Sequence, residues 1–155
     1  MPSKEIAIFW FRRDLRLNDN VGLIAALKSG YPVVPIFIFD SEILEGLPKE
    51  DARVTFIYNQ LEKINKELKT AHSNLLVLHG KPEEVWKNLV EEYQVSEVYF
   101  NRDYEPYAMH RDKTIAEYLT KKGAKVYSFK DHVFFEKDEI TKADGLPYTV
   151  YTAYK

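Results

Sequence analysis

Six consecutive apolar residues, Ile6-Ala7-Ile8-Phe9-Trp10-Phe11, give way at once to Arg12-Arg13-Asp14-Leu15-Arg16-Leu17-Asn18-Asp19-Asn20. An unbroken β-branched and aromatic run is the pattern of a strand covered on both faces, and such strands belong to parallel sheets flanked by helices. A strand with one face in water would alternate polar and apolar residues, and this one has no polar face. The chain must therefore supply two covering layers, through crossover segments of the kind that join parallel strands.

The rest of the sequence has that form. Asn18, Asp19 and Asn20 offer capping side chains for a short helix, with Val21, Ile24 and Leu27 as its apolar face and Gly30 as its stop. Residues 33–39 form a second buried strand ending at Asp40, and Pro35 within it marks an N–H that the ladder does not need. Residues 41–49 read as a loop. Glu50 and Asp51 then put negative charge in the first turn of a long helix, whose Val54, Ile57, Leu61, Ile64 and Leu68 make one stripe.

A third strand spans 75–78. Pro82 opens a helix with Val85, Trp86, Leu89, Val90 and Tyr93 turned inward. Residues 95–101 supply a fourth strand, a helix runs from about Tyr107 to Lys122 and stops at Gly123, and 125–129 make a fifth strand. This alternation predicts an α/β fold, a doubly wound five-stranded parallel sheet with helices on both faces, Rossmann-like, with right-handed crossovers. It stops after Phe129, and the aromatic-rich segment that follows ends without a cap. The expected division is a domain over 1–130 and the start of a linker over 131–155 of a truncated protein.

Composition excludes several classes. At 155 residues the chain suits one domain with a full core. A net charge of −2 and a pI near 6.1 argue against a broad basic face toward DNA. Without cysteine there is no disulfide or thiolate chemistry, and His72, His79, His110 and His132 share no metal-ligand spacing. No Gly-rich phosphate loop follows the first strand, and no nucleophile elbow is present. No apolar run spans a membrane and no leader is visible, so a cytoplasmic protein with no membrane partner is expected.

What remains is what the strand ends collect. In an open α/β sheet, ligands bind past the carboxyl ends of the strands, where the strand order reverses. Arg13 follows strand one, Asp40 follows strand two, Arg53 opens the long helix, Asp103 and Glu105 follow strand four, and Arg111 lies in the first turns of the next helix. Phe37, two residues inside its strand end, offers an apolar wall. A crevice so lined suits a planar heteroaromatic ligand with a polar edge. The alternative is a salt network of Arg53, Arg111, Asp103 and Glu105 with no ligand. No pair is arranged for general acid–base work, so the crevice is expected to hold a molecule rather than transform one.

Three stretches carry a resemblance that covers the whole chain. Trp10 to Asn20 resembles the opening motif of the DNA photolyase and cryptochrome family, and Asn101-Arg102-Asp103-Tyr104-Glu105-Pro106-Tyr107-Ala108-Met109-His110-Arg111-Asp112 is similar to the segment that opens its fourth helix. Pro147-Tyr148-Thr149-Val150-Tyr151-Thr152-Ala153-Tyr154-Lys155 is similar to the segment leading into its linker. Within that family the chain most resembles a deoxyribodipyrimidine photolyase.

The resemblance implies an antenna domain that passes excitation to FAD in a C-terminal helical domain absent from this sequence. That domain would also contact damaged DNA, and an electron from reduced FAD would split a cyclobutane pyrimidine dimer. The whole protein would be a carbon–carbon lyase, and this fragment alone is expected to be inactive. Arg13, Phe37, Asp40, Arg53, Asp103, Glu105 and Arg111 match the pattern of members that bind a flavin or deazaflavin antenna pigment (8-HDF, FMN or FAD). Tyr107 and Ala108 stand where folate-binding members carry an Asn-Glu pair, which disfavours folate (MTHF). Arg12, Asp14 and Arg16 recur across pigment types and are assigned to domain structure. A cryptochrome photoreceptor and a free-standing nucleotide-binding module are the competing readings.

Overall fold

The computed structural model describes residues 5–136, 139–142 and 144–148. The chain forms β1 (Ile6–Phe11), α1 (Val21–Leu27), β2 (Val33–Asp40), α2 (Ser41–Glu45), α3 (Ala52–Thr70), β3 (Leu76–Gly80), α4 (Pro82–Glu92), β4 (Val95–Asn101), α5 (Pro106–Lys121) and β5 (Lys125–Phe129). The sheet order is β3-β2-β1-β4-β5, and every pairing is parallel. The doubly wound parallel sheet expected from the alternation is the observed one.

β1 lies at the centre and feeds two cores. Ile6, Ile8 and Trp10 join Ile36, Ile38, Val98 and Phe100 against Trp86 and Leu89 of α4 and Ile115 and Leu119 of α5. Ala7, Phe9 and Phe11 join Phe37 and Tyr99 against Leu23 and Ala26 of α1 and Leu61 and Ile64 of α3. All six residues of β1 are buried, which is why the strand carries no polar position. Each large side chain fully buried there contributes about 1.5–3 kcal/mol. Pro35 pairs with Phe9, and the ladder between β2 and β3 begins only at Ile36, so its missing donor lies outside that ladder.

Three local expectations are corrected. Residues 41–45 form a helix rather than a loop, because the Asp40 carboxylate accepts the Glu42 N–H at 3.0 Å and caps it. In α1 the buried face is Gly22, Leu23 and Ala26, while Val21, Ile24 and Leu27 are 42%, 42% and 65% exposed. The helix packs so closely on β4 that its smallest residues face inward. Tyr93 follows α4 in an extended conformation and is 36% exposed, not turned inward.

Beyond Phe129 the described residues add no further strand. A turn expected near Gly145 is present, with the Lys142 N–H donating to the Leu146 carbonyl at 2.9 Å. Gly145 takes φ 79°, a conformation that favours glycine. The linker-like motif from residue 149 onward lies outside the described residues. Among the described residues, no helix is long and apolar enough to cross a membrane.

Candidate functional site

At the carboxyl edge of the sheet, the point of reversed strand order between β1 and β4 is filled by a buried polar cluster. Asn20 caps α1 by accepting the Leu23 N–H at 3.1 Å, and its own amide donates to the Asp14 carboxylate at 3.1 Å. The Asn101 amide donates to Asn20 Oδ1 at 2.8 Å and to Asp14 Oδ2, and its Oδ1 accepts the Gly22 N–H at 2.9 Å. The other Asp14 oxygen accepts the Arg12 N–H at 2.9 Å. Every member has partners, as burial demands. Arg12 reaches the Asn101 carbonyl and Asp112, and Arg16 reaches Asp131 at 2.8 Å. The assignment of Arg12, Asp14 and Arg16 to domain structure agrees with these contacts.

The open space lies beside this cluster, on the β2 side. A cleft of about 290 Å³ is lined by all seven residues expected at the strand ends, Arg13, Phe37, Asp40, Arg53, Asp103, Glu105 and Arg111. Its apolar lining includes Trp10, Phe39, Ile43, Leu44, Leu47, Val54 and Ile57. Nothing in the sequence pattern marks Trp10, Phe39 or these aliphatic residues as cleft lining. The wall from α2 and the turn after it depended on a helix that a loop-like sequence concealed. Tyr107 and Ala108 also line the cleft. They lie four and three residues before Arg111, so one face of α5 carries all three.

The charges form three separate groups rather than one network. Arg13 Nε lies 3.2 Å from Asp103, and its other end meets Glu105. Arg53 pairs with its own helix cap, Asp51, at 2.7 Å; the Arg53 hydrogen bond holds the Asp51 carboxyl down at about 2. Arg111 donates to Asp112 at 2.9 Å and approaches Asp40 at 3.8 Å.

Arg53 and Arg13 have exposed side chains, whereas those of Arg111 and Asp40 are almost fully covered. The Tyr107 hydroxyl donates to Asp40 at 2.7 Å; burial, and then that bond, push its pKa up. The Arg12 guanidinium is shifted down by burial, against the pull of Asp112. The arrangement thus has an apolar interior, fixed buried charges and two guanidiniums at the rim that can turn toward a ligand.

The DNA photolyase family model matches residues 7–155. A deoxyribodipyrimidine photo-lyase of Synechococcus sp. is 35% identical over 144 residues, 93% of this chain and 30% of that protein. A bacterial class III photolyase from Agrobacterium tumefaciens superposes with a TM-score of 0.86 at 31% identity, over 99% of this chain and 31% of that one. An archaeal photolyase from Sulfolobus tokodaii, solved with two FAD molecules and described as implying a novel light-harvesting cofactor, superposes with a TM-score of 0.80 at 32% identity. It is matched over 89% of this chain and 32% of that one. The chain therefore spans about a third of the length of these relatives, and over that span it belongs to the DNA photolyase family.

Proposed function

We propose that this chain is the antenna domain of a light-dependent DNA repair enzyme of the cyclobutane pyrimidine dimer type, with a flavin- or deazaflavin-type pigment in the cleft. The observation that carries the reading is the convergence of the seven strand-end residues on one largely apolar cleft of about 290 Å³. That volume sits at the lower end of ligand pockets. It suits a fused ring system, with any ribityl or phosphate tail running out past the rim. The two FAD molecules of the Sulfolobus tokodaii relative support a flavin-type occupant.

When bound, the pigment would absorb light and pass the excitation to FAD in a C-terminal helical domain, through which damaged DNA would also be held. The chain's own residues hold and shield it. Phe37 and the aliphatic wall from α2 and α3 exclude water from the ring. Arg111, fixed by Asp112, presents a buried positive charge, and Arg13 and Arg53 meet the polar edge or tail. Tyr107 is committed to Asp40 and stands where a folate-binding relative would need an amide. The division into a domain over 1–130 and a linker over 131–155 belongs to the same proposal.

The test is a fluorescence titration of the chain with FMN, FAD and a deazaflavin, beside a reduced folate. Saturable flavin-type binding, weakened about tenfold or more by Arg53→Ala or Asp103→Ala with the fold intact, is expected. Affinity unchanged in both variants would return those residues to plain salt pairs. Light-dependent dimer repair by this chain alone would overturn the domain assignment.

A further inference from the structure

Trp10 borders the cleft and is almost fully buried, at 1% exposed. An indole beside an excited flavin-type pigment is an electron donor. One electron would pass from the Trp10 ring to the pigment, leaving an indole radical cation and a one-electron-reduced pigment. The electron would then return in the dark and the excitation would be lost as heat. Tyr107 also borders the cleft, and with its hydroxyl on Asp40 it could release electron and proton together, so the Trp10→Phe exchange below is what separates the two donors. Trp86 stands 5.6 Å from Trp10, edge to face, so a hole formed on Trp10 would have a neighbouring indole to move to. For a domain that must hand excitation onward, Trp10 is a leak.

Two cations lie against that ring. The Arg12 Cζ is 5.1 Å and the Arg111 Cζ 4.9 Å from the Trp10 centroid. A guanidinium at this distance favours the neutral ring through its quadrupole and repels a positive charge on it. Both side chains are largely buried, so water screens them little. They share one close carboxylate, Asp112, and that trio keeps one net positive charge. Asp40, 3.8 Å from Arg111, already accepts the Tyr107 hydroxyl, and Asp14, whose charge also reaches Arg12, accepts the Arg12 N–H and the Asn20 and Asn101 amides.

We propose that Arg12 and Arg111 keep Trp10 from donating an electron to a pigment in the cleft, so that excitation survives to be passed on. The benefit to a pigment rests on the function proposed above; the electrostatic effect on Trp10 does not. Arg12 is a positioning residue in this scheme, acting through Trp10.

The experiment has two arms. Without pigment, square-wave voltammetry is run on the Trp86→Phe chain, where Trp10 is the sole indole. Adding Arg12→Gln should lower the Trp10 oxidation potential and adding Asp112→Asn should raise it. With FMN bound, Arg12→Gln should shorten the FMN fluorescence lifetime at least twofold, and Arg12→Gln/Trp10→Phe should restore it. Potentials unmoved by both substitutions overturn the proposal, as does a shortened lifetime that persists without Trp10. If Arg12→Gln fails to fold, the rise with Asp112→Asn decides. Failure of FMN to bind at all would count against the pigment reading alone, since the voltammetry still judges the guanidiniums.

Discussion

Replacing Gly22 by alanine is expected to destabilise the protein, although the same exchange inside an ordinary helix gains about 1 kcal/mol. A Cβ at position 22 would lie 2.8 Å from Asn101 Oδ1 and 3.0 Å from Phe9 Cε2. Phe9 is wholly buried and cannot withdraw, so the Asn101 amide must swing. That breaks its bond from the Gly22 N–H and disturbs its donations to Asp14 and Asn20. Leaving a buried donor or acceptor unpaired costs about 1–3 kcal/mol. With two groups affected, the Gly22 N–H and the Asn101 amide, the penalty exceeds the propensity gain by about 1–5 kcal/mol, a fall in Tm of roughly 2–20 °C for a chain of this size. Urea unfolding followed by tryptophan fluorescence measures it, and the midpoint should drop with the slope unchanged. Asn101→Ala removes the obstructing atom, so the penalty of Gly22→Ala should shrink by at least 1 kcal/mol in that background. A Gly22→Ala protein as stable as the parent, or more so, would refute the close packing of α1 on β4.

The Arg53 hydrogen bonds hold the Asp51 carboxyl down at about 2 in the folded chain, below the ordinary carboxylate range. Its stabilising effect is therefore present above about pH 4 and lost as pH falls toward 2. Arg53→Ala should move the Asp51 carboxyl upward in an NMR titration and flatten acid unfolding in that window. Tyr99 and Tyr107 are both shifted upward, chiefly by burial and then by bonds to Glu97 and Asp40. Their neutral forms stabilise the fold below the ordinary phenol range, and this is lost as pH rises above it, so absorbance at alkaline pH should show these two ionising after the exposed tyrosines. In α1, Leu27→Ser should change stability by no more than about 0.5 kcal/mol. Ala26→Leu, at a residue with no exposure, should cost about 1–3 kcal/mol by overpacking.

The central strands were legible because burial on both faces leaves one pattern, and all six residues of β1 show it. Arg13, Asp40, Asp103 and Glu105 were legible because they stand at or just past strand ends, and in a doubly wound sheet chain position there translates into spatial convergence. What escaped reading depended on distances between elements. Helix α1 was oriented by its large apolar residues, yet its approach to β4 turns Gly22 and Ala26 inward. The alternative salt network groups Arg53 with acids after strand four, while a nearer partner two residues away, Asp51, takes it. Helix α2 is five residues long and owes its start to one carboxylate, too little for periodicity to register. Trp10 reads from sequence only as core, because nothing in a continuous apolar run says which residue will border an open cleft.

The strand order also has a consequence for how the chain is made. β1 gains its first neighbour, β2, when residue 40 has been synthesised, but its other neighbour, β4, is complete only at residue 101. At about 5–20 residues per second, a ribosome leaves that edge of β1 bare for roughly 3–12 s. During this interval an apolar ribbon with open backbone donors and acceptors is available to any passing strand. Asp14 and Asn20 must likewise wait for Asn101. The most buried strand of the finished domain is thus the one most exposed to mispairing while it is being born.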